Sequence, residues 1–330
     1  MRGSVGSMRT IKAIAISAVL VLAASAYLLV SDSFASARVV ARTFNTYTGA
    51  GVSNSQGIAL GSDGALWFTN QGTNSIGRIN TAGAVSEFTG SGIKFPKGIT
   101  AGPDGALWFT NAGGNSIGRI TTAGVVSDFT NAGITSPQGI TKGPDGALWF
   151  VNEGNNQIGR ITTAGVITLY NDSTTYGLGF NPEAITVGPD GALWFTNVVS
   201  NSIGRITTAG AVSDFTGTGI SDPEGIVAGP DGALWFTNWG NNSIGRITTA
   251  GVVSNYTTSG IAFPEGIVVA NGNMWFTNFY GNTLGKVTTA GKVTIYSGTG
   301  VRSPGWITYG PDHAVWFTDY GNNSIGRTST

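Results

Sequence analysis

Gly102-Pro103-Asp104-Gly105-Ala106-Leu107-Trp108-Phe109-Thr110-Asn111 recurs down the chain with small changes, its tryptophan standing at positions 67, 108, 149, 194, 235, 275 and 316. The spacing of 40 to 45 residues makes seven copies of one unit, and a period of that length decides the architecture. Around Trp108 the apolar residues fall into short runs rich in Ile, Val, Phe and Trp, cut by turn residues. Four strands fit: Gly98 to Ala101, Ala106 to Thr110, Ser116 to Thr121 and Val125 to Phe129, called a to d below. Repeated four-stranded units of this size are the signature of propeller blades around a central channel, so the expected fold is an all-β, seven-bladed β-propeller.

The chain ends support a closed ring. The seventh copy stops at Thr330 after strand c and lacks a strand d, while Thr43 to Gly49 resembles a strand d and precedes the first strand a. Pairing that N-terminal strand with the last blade closes the ring and removes two exposed sheet edges. The 52 glycines and 11 prolines are punctuation within the repeat. Seventeen basic residues balance seventeen acidic ones with no basic cluster, which excludes nucleic acid as a partner. The absence of cysteine excludes a disulfide framework and a thiolate metal site.

Residues 1–37 read separately from the propeller domain at 38–330. Arg2, Arg9 and Lys12 precede the apolar run Ala13 to Val30, and Ala35-Ser36-Ala37 forms a small-x-small site. This is the layout of a secretory signal peptide; retention as a membrane anchor is the alternative, and either outcome places the propeller in a secreted, periplasmic or cell-surface location. The membrane is met only through this segment if it is uncleaved, and the ring is expected to be a monomer.

The repeat of Gly-Pro-Asp-Gly-Ala-Leu-Trp-Phe-Thr-Asn followed by Asn-Ser-Ile-Gly-Arg-Ile-Thr-Thr-Ala-Gly resembles that of the streptogramin lyases, or virginiamycin B lyases, from about Thr43 to Thr330. The resemblance implies a seven-bladed propeller and a magnesium-dependent enzyme that opens a cyclic depsipeptide by elimination across its ester. It also implies histidines at the start of strand a in the last two blades, where this chain has Glu265 and Gly305, and a glutamate where it has Ser303. The sole histidine, His313, sits in a turn on the opposite rim. Elimination beside a carbonyl needs a base active near neutral pH, and a solvated carboxylate is a weak one.

With strand a running down from the top rim, the residues after the repeat proline or its equivalent ring the channel mouth: Gln56, Lys97, Gln138, Glu183, Glu224, Glu265 and Gly305. The three carboxylates fall on consecutive blades, and Trp239, Phe279, Tyr280, Trp306 and Tyr320 add aromatic surface to the same side. A solvated rim accounts for such residues equally simply. The functional expectation is a top-face site for a small molecule, peptide or glycan, with Glu183, Glu224, Glu265 and the aromatics as ligand-binding residues. One alternative is a carbon–oxygen lyase or hydrolase with Glu224, Glu265 and Asp319 as catalytic or metal candidates around Mg. Another is a rigid protein-interaction platform. The longer third-to-fourth connection, within Tyr170 to Asn181, is expected as a lip over this face.

Three other repeated positions read as structural. The aspartates of the Pro-Asp-Gly turns suit the turn backbone. The strand c cations, Arg78 to Arg327 with Lys286 in the sixth copy, are expected to hydrogen-bond between blades, and the Leu-Trp-Phe tryptophans to pack between them. The asparagines ending strand b suit either turn capping or the channel wall.

Overall fold

A computed structural model describes residues 37–171 and 181–330. The signal-peptide reading of the N-terminus and most of the Tyr170 to Asn181 lip lie outside them. The repeat folds into seven blades of four antiparallel strands, the second being Pro96–Ala101, Leu107–Asn111, Ser116–Ile120 and Val126–Thr130. Blade 7 is Pro304–Tyr309, Ala314–Asp319 and Ser324–Ser329, completed by Asn45–Tyr47 from the other end of the chain. Its register pairs Asn45 with Arg327 and Tyr47 with Ile325. The chain therefore closes its ring as the split repeat predicts.

One strand was not foreseen. Arg38–Ala41 runs parallel to Val293–Ser297 and adds a fifth strand to the outer edge of blade 6. Arg42 then crosses to blade 7, its guanidinium stacked over Tyr296 and Trp275 and hydrogen-bonded to the Ser329 carbonyl.

The core lies between the blades because each sheet is covered on both faces by its neighbours. Trp108 is fully buried against Ile134, Ile140, Leu148 and Phe150 of the next blade, as expected for the Leu-Trp-Phe tryptophans. It also stacks on Phe129 of its own strand d, ring centroids 5.3 Å apart. The adjacent Phe109 lies flat over Gly118: a Cβ there would sit 2.1 Å from the ring, so the Ile-Gly-Arg motif needs its glycine.

Each Pro-Asp-Gly turn ties its own blade together. Asp104 Oδ1 accepts from Trp108 Nε1 at 3.0 Å and from the Ala106 amide, and Oδ2 accepts from Arg119 Nε at 2.7 Å. Burial pushes the carboxyl up, but the bonds from Trp108 and Arg119 outweigh it and hold Asp104 below its ordinary value. The same clamp recurs in blades 1, 3, 4, 5 and 7. The strand c cations thus bond within a blade, which corrects the expectation of bonds between blades: register places each arginine opposite its own tryptophan, as Arg119 pairs with Trp108. Blade 6 has the shorter Asn271-Gly272 turn, and there Lys286 lies 5.4 Å from the Trp275 ring centroid. Replacing Asp104 with Ala leaves an indole N–H and a guanidinium without their acceptor and is expected to cost about 1–3 kcal/mol. Thermal unfolding should show a fall of a few degrees, and an unchanged melting temperature would contradict the clamp.

The seams between blades at the top of the channel are bridged by threonine hydroxyls held between backbone groups. In blade 2 the Gly98 amide donates to Thr110 Oγ1, whose hydroxyl donates to the Gln138 carbonyl of blade 3. Equivalent bridges run from Thr69 to Lys97, Thr196 to Glu224, Thr237 to Glu265 and Thr277 to Gly305. Val151 stands at this position in blade 3. The strand b asparagines cap turns: Asn111 Oδ1 accepts the Lys94 amide and its Nδ2 donates to the Gly92 carbonyl.

Candidate functional site

The site begins with a bulge that recurs in every strand a. In blade 2 Pro96 pairs with Asn111 and Ile99 with Phe109, so Lys97 and Gly98 together oppose Thr110. A bulge re-aims the side chains it carries. Here it presents the residue after the proline at the channel mouth in six blades, whereas Gln138 of blade 3 is buried, donates to Ser136 and Glu153, and does not line the cup. Gln56, Lys97, Glu183, Glu224, Glu265 and Gly305 all line one cavity of about 290 Å³. Its wall toward blades 5 to 7 is Trp239, Phe279, Tyr320 and Trp306, with Thr318 beside them.

The three glutamates that the sequence placed on consecutive blades therefore meet in one cup. They open onto it, yet the ring encloses them enough to disfavour charge. Burial is the leading cause for each. Glu183 rises to about 7, with Lys97 opposing and Glu153 assisting. Glu265 rises to about 8, with Glu183 adding repulsion against the pull of Lys97. Glu224, flanked by Glu183, Glu265 and Asp222, rises to about 9.

Burial raises Asp319 as well, against three hydrogen bonds that lower it, but its place is different. Its carboxylate is almost fully buried under the last blade and accepts from the Arg302 amide, Asn322 Nδ2 and Ser324 Oγ. It caps the turn that asparagine caps elsewhere, and it lies outside the cup lining. Among the described residues no three Asp, Glu, His or Cys side chains form a metal-binding group. Magnesium favours octahedral oxygen ligation, and the Glu224, Glu265 and Asp319 set does not fit it. His313 occupies the turn at the far end of blade 7, with Nδ1 3.1 Å from the Tyr309 hydroxyl.

Sequence reasoning placed Lys97 on the ring without giving it a role, and it missed Phe263. Lys97 occupies the same repeat position as the glutamates and sets a positive charge facing all three. Phe263 immediately precedes the repeat proline of blade 6 and packs edge-on against Trp239 and Tyr280 at 5.1 and 4.9 Å. Phe279 joins them, 5.6 Å from Trp239 and 5.1 Å from Tyr280. Phe263 has a positive φ of 51°, a conformation rare for a bulky residue, fixed by the bond from its amide to Asn242 Oδ1. The position before the repeat proline or its equivalent carries this backbone in other copies too, as at Asn54, Ser136 and Ser303, so the fold imposes the conformation, and blades 2 and 6 fill it with an aromatic ring, Phe95 and Phe263.

Seven four-stranded blades surround a channel with an acidic, aromatic-walled cup at one end. The chain belongs to the virginiamycin B lyase family, whose model matches residues 41–176 and 171–330. A streptogramin B lyase of known structure is 33% identical over 86% of this chain and 96% of that one, with a TM-score of 0.80. Virginiamycin B lyase from Staphylococcus aureus, solved as a catalytically inactive histidine-to-alanine form with quinupristin, is likewise 33% identical, over 87% and 99%, with a TM-score of 0.80. Hydrazine synthase from Kuenenia stuttgartiensis shares the fold at 18% identity, over 86% and 97%, with a TM-score of 0.71. No curated protein matches the chain.

Proposed function

We propose that this propeller is an exported binding protein whose top-face cup takes the end of a small molecule, peptide or glycan carrying a cationic group. The observation that carries the reading is the convergence of Glu183, Glu224 and Glu265 in a cavity with an aromatic wall. A cation entering the cup restores the charge that burial suppresses, while Trp239, Phe279 and Tyr320 offer stacking area to the rest of the ligand. The chain's lone histidine is held at the other end of blade 7, so imidazole base chemistry is not part of this reading. Export rests on the charged, apolar and small-residue order of the first 37 residues.

A second reading has one observation in its favour. A carboxylate raised to about 7 or 8, as Glu183 and Glu265 are, is a competent general base near neutral pH. That supports elimination with a glutamate as the proton acceptor. The two readings separate on one assay: residues 38–330 are incubated at high concentration with a type B streptogramin, with Mg²⁺ and again with a chelator, and products are followed by mass. We expect no ring opening in either condition. Turnover abolished by Glu265→Gln would establish the second reading and overturn the first.

A further inference from the structure

The position two residues after the repeat proline is Gly57, Gly98, Gly139, Ala184, Gly225 and Gly266 in the first six blades. Physical crowding explains the choice. A Cβ at Gly98 would lie 2.6 Å from the Gln138 carbonyl oxygen, and one at Gly225 would lie 2.5 Å from that of Glu265. Blade 7 breaks the series with Trp306. Its amide keeps the common bond, donating to Thr318 Oγ1 at 3.0 Å as the Gly98 amide does to Thr110, while the Thr318 hydroxyl donates to the Trp306 carbonyl at 3.4 Å. The side chain that replaces glycine faces the channel.

The indole reaches across. It packs against the apolar cluster of blades 7 and 1, which contains Ile58, and against that of blades 4 and 5, which contains Ala184 and Ile226. Trp306 also lines two cavities, the cup above and a chamber of about 110 Å³ below it. The lower chamber is walled by the next residue of six of the seven strands a, Ile58, Ile99, Ile140, Ile185, Ile226 and Ile307. Gln56, Lys97 and Glu183 border both spaces alongside Trp306.

We propose that Trp306 is the floor of the cup and a specificity-determining residue, closing an isoleucine-walled chamber to the apolar arm of a ligand whose charged group sits among the glutamates. Short arms fit above the indole; long ones meet it. The inference rests on the cup being a binding site, but the floor is a property of the channel and does not depend on the ligand being cationic.

The test uses two probe series of matched length, n-alkylammonium ions and uncharged n-alkanols from butyl to octyl, titrated by calorimetry against the wild-type chain and Trp306→Gly. Trp306→Leu serves as the smaller change, and circular dichroism confirms that each variant folds. Each methylene buried is worth about fourfold in affinity. The glycine variant should therefore prefer octyl over butyl at least tenfold more strongly than the wild type in both series, with the leucine variant between. The same length dependence in all three proteins, or binding of neither series by any of them, overturns the floor. A shifted length dependence with ammonium ions no tighter than alkanols upholds the floor and refutes the cationic reading of the cup.

Discussion

At pH 8 the Glu224→Gln variant is expected to melt above the wild type while binding an alkylammonium ion less tightly. The opposite signs come from one cause. Glu183, Glu224 and Glu265 titrate near 7, 9 and 8 in the folded ring and at the ordinary value of 4.5 when exposed. The folded state thus holds protons that the unfolded chain has released, and its stability falls as pH rises. The contribution of these groups is fully present below about pH 4.5 and is lost progressively up to pH 7–9. Glutamine at 224 keeps the shape, carries no charge, and removes the share of the downward slope that Glu224 supplies. The turn aspartates act in the other direction: held below their ordinary value, they contribute above about pH 3.8 and lose that contribution in stronger acid. Ligand binding follows the charged form. A cation selects ionised carboxylates, so its affinity should rise by up to tenfold per pH unit between pH 6 and 8 for each proton released on binding. Calorimetry in buffers of different ionisation enthalpy counts those protons directly. Affinity independent of pH, or a glutamine variant less stable at pH 8, would remove the three glutamates from any role as a cation seat.

The largest expected stability effect lies at the ring closure. A chain beginning at Gly49 loses the Asn45–Tyr47 strand together with Phe44 and Tyr47. Phe44 is buried edge-on to Phe317 at 6.0 Å, and Tyr47 stacks on Trp316 at 5.5 Å with the planes 15° apart. Removing a buried aromatic side chain such as Phe44 costs about 3–5 kcal/mol, and the half-buried Tyr47 and the lost strand add to it, so the sum is a large share of an ordinary domain's stability. Denaturant unfolding should show either a large loss or no cooperative transition. Of the described residues, a chain beginning at Arg42 lacks only Ala37 and the mostly exposed Arg38–Ala41 strand, and should lose far less. Equal stability of the two truncations would refute the closure as the main fastening.

How far the sequence reaches differs between parts of the molecule. Seven near-identical copies make strand order, blade number and ring closure legible, because period and split ends are properties of the chain alone. The ring of residues after the proline was equally legible: strand direction fixes which end of each blade faces the mouth, and Glu183, Glu224 and Glu265 do meet there. The Arg119 to Asp104 bond was misassigned because register decides whether a strand c cation faces its own turn or a neighbour's. Arg38–Ala41 was invisible because four largely exposed residues carry no alternation to read. Asp319 looked like its fellow carboxylates by position, whereas its burial and its three donors are tertiary facts. The reach of Trp306 across the channel depends on channel width, which no single copy encodes.

The split blade also sets an order of events. Thr328 donates its hydroxyl to the Thr43 carbonyl, 285 residues back along the chain. Contacts of such sequence separation are slow to form because the intervening loop must be ordered first. Six blades can stack on one another as each becomes available, but the strand waiting at the start of the chain finds its partners only once the last blade is present. Until then the molecule is a horseshoe with a bare sheet at each end, and its final seam is tied by the two ends that were made furthest apart in time.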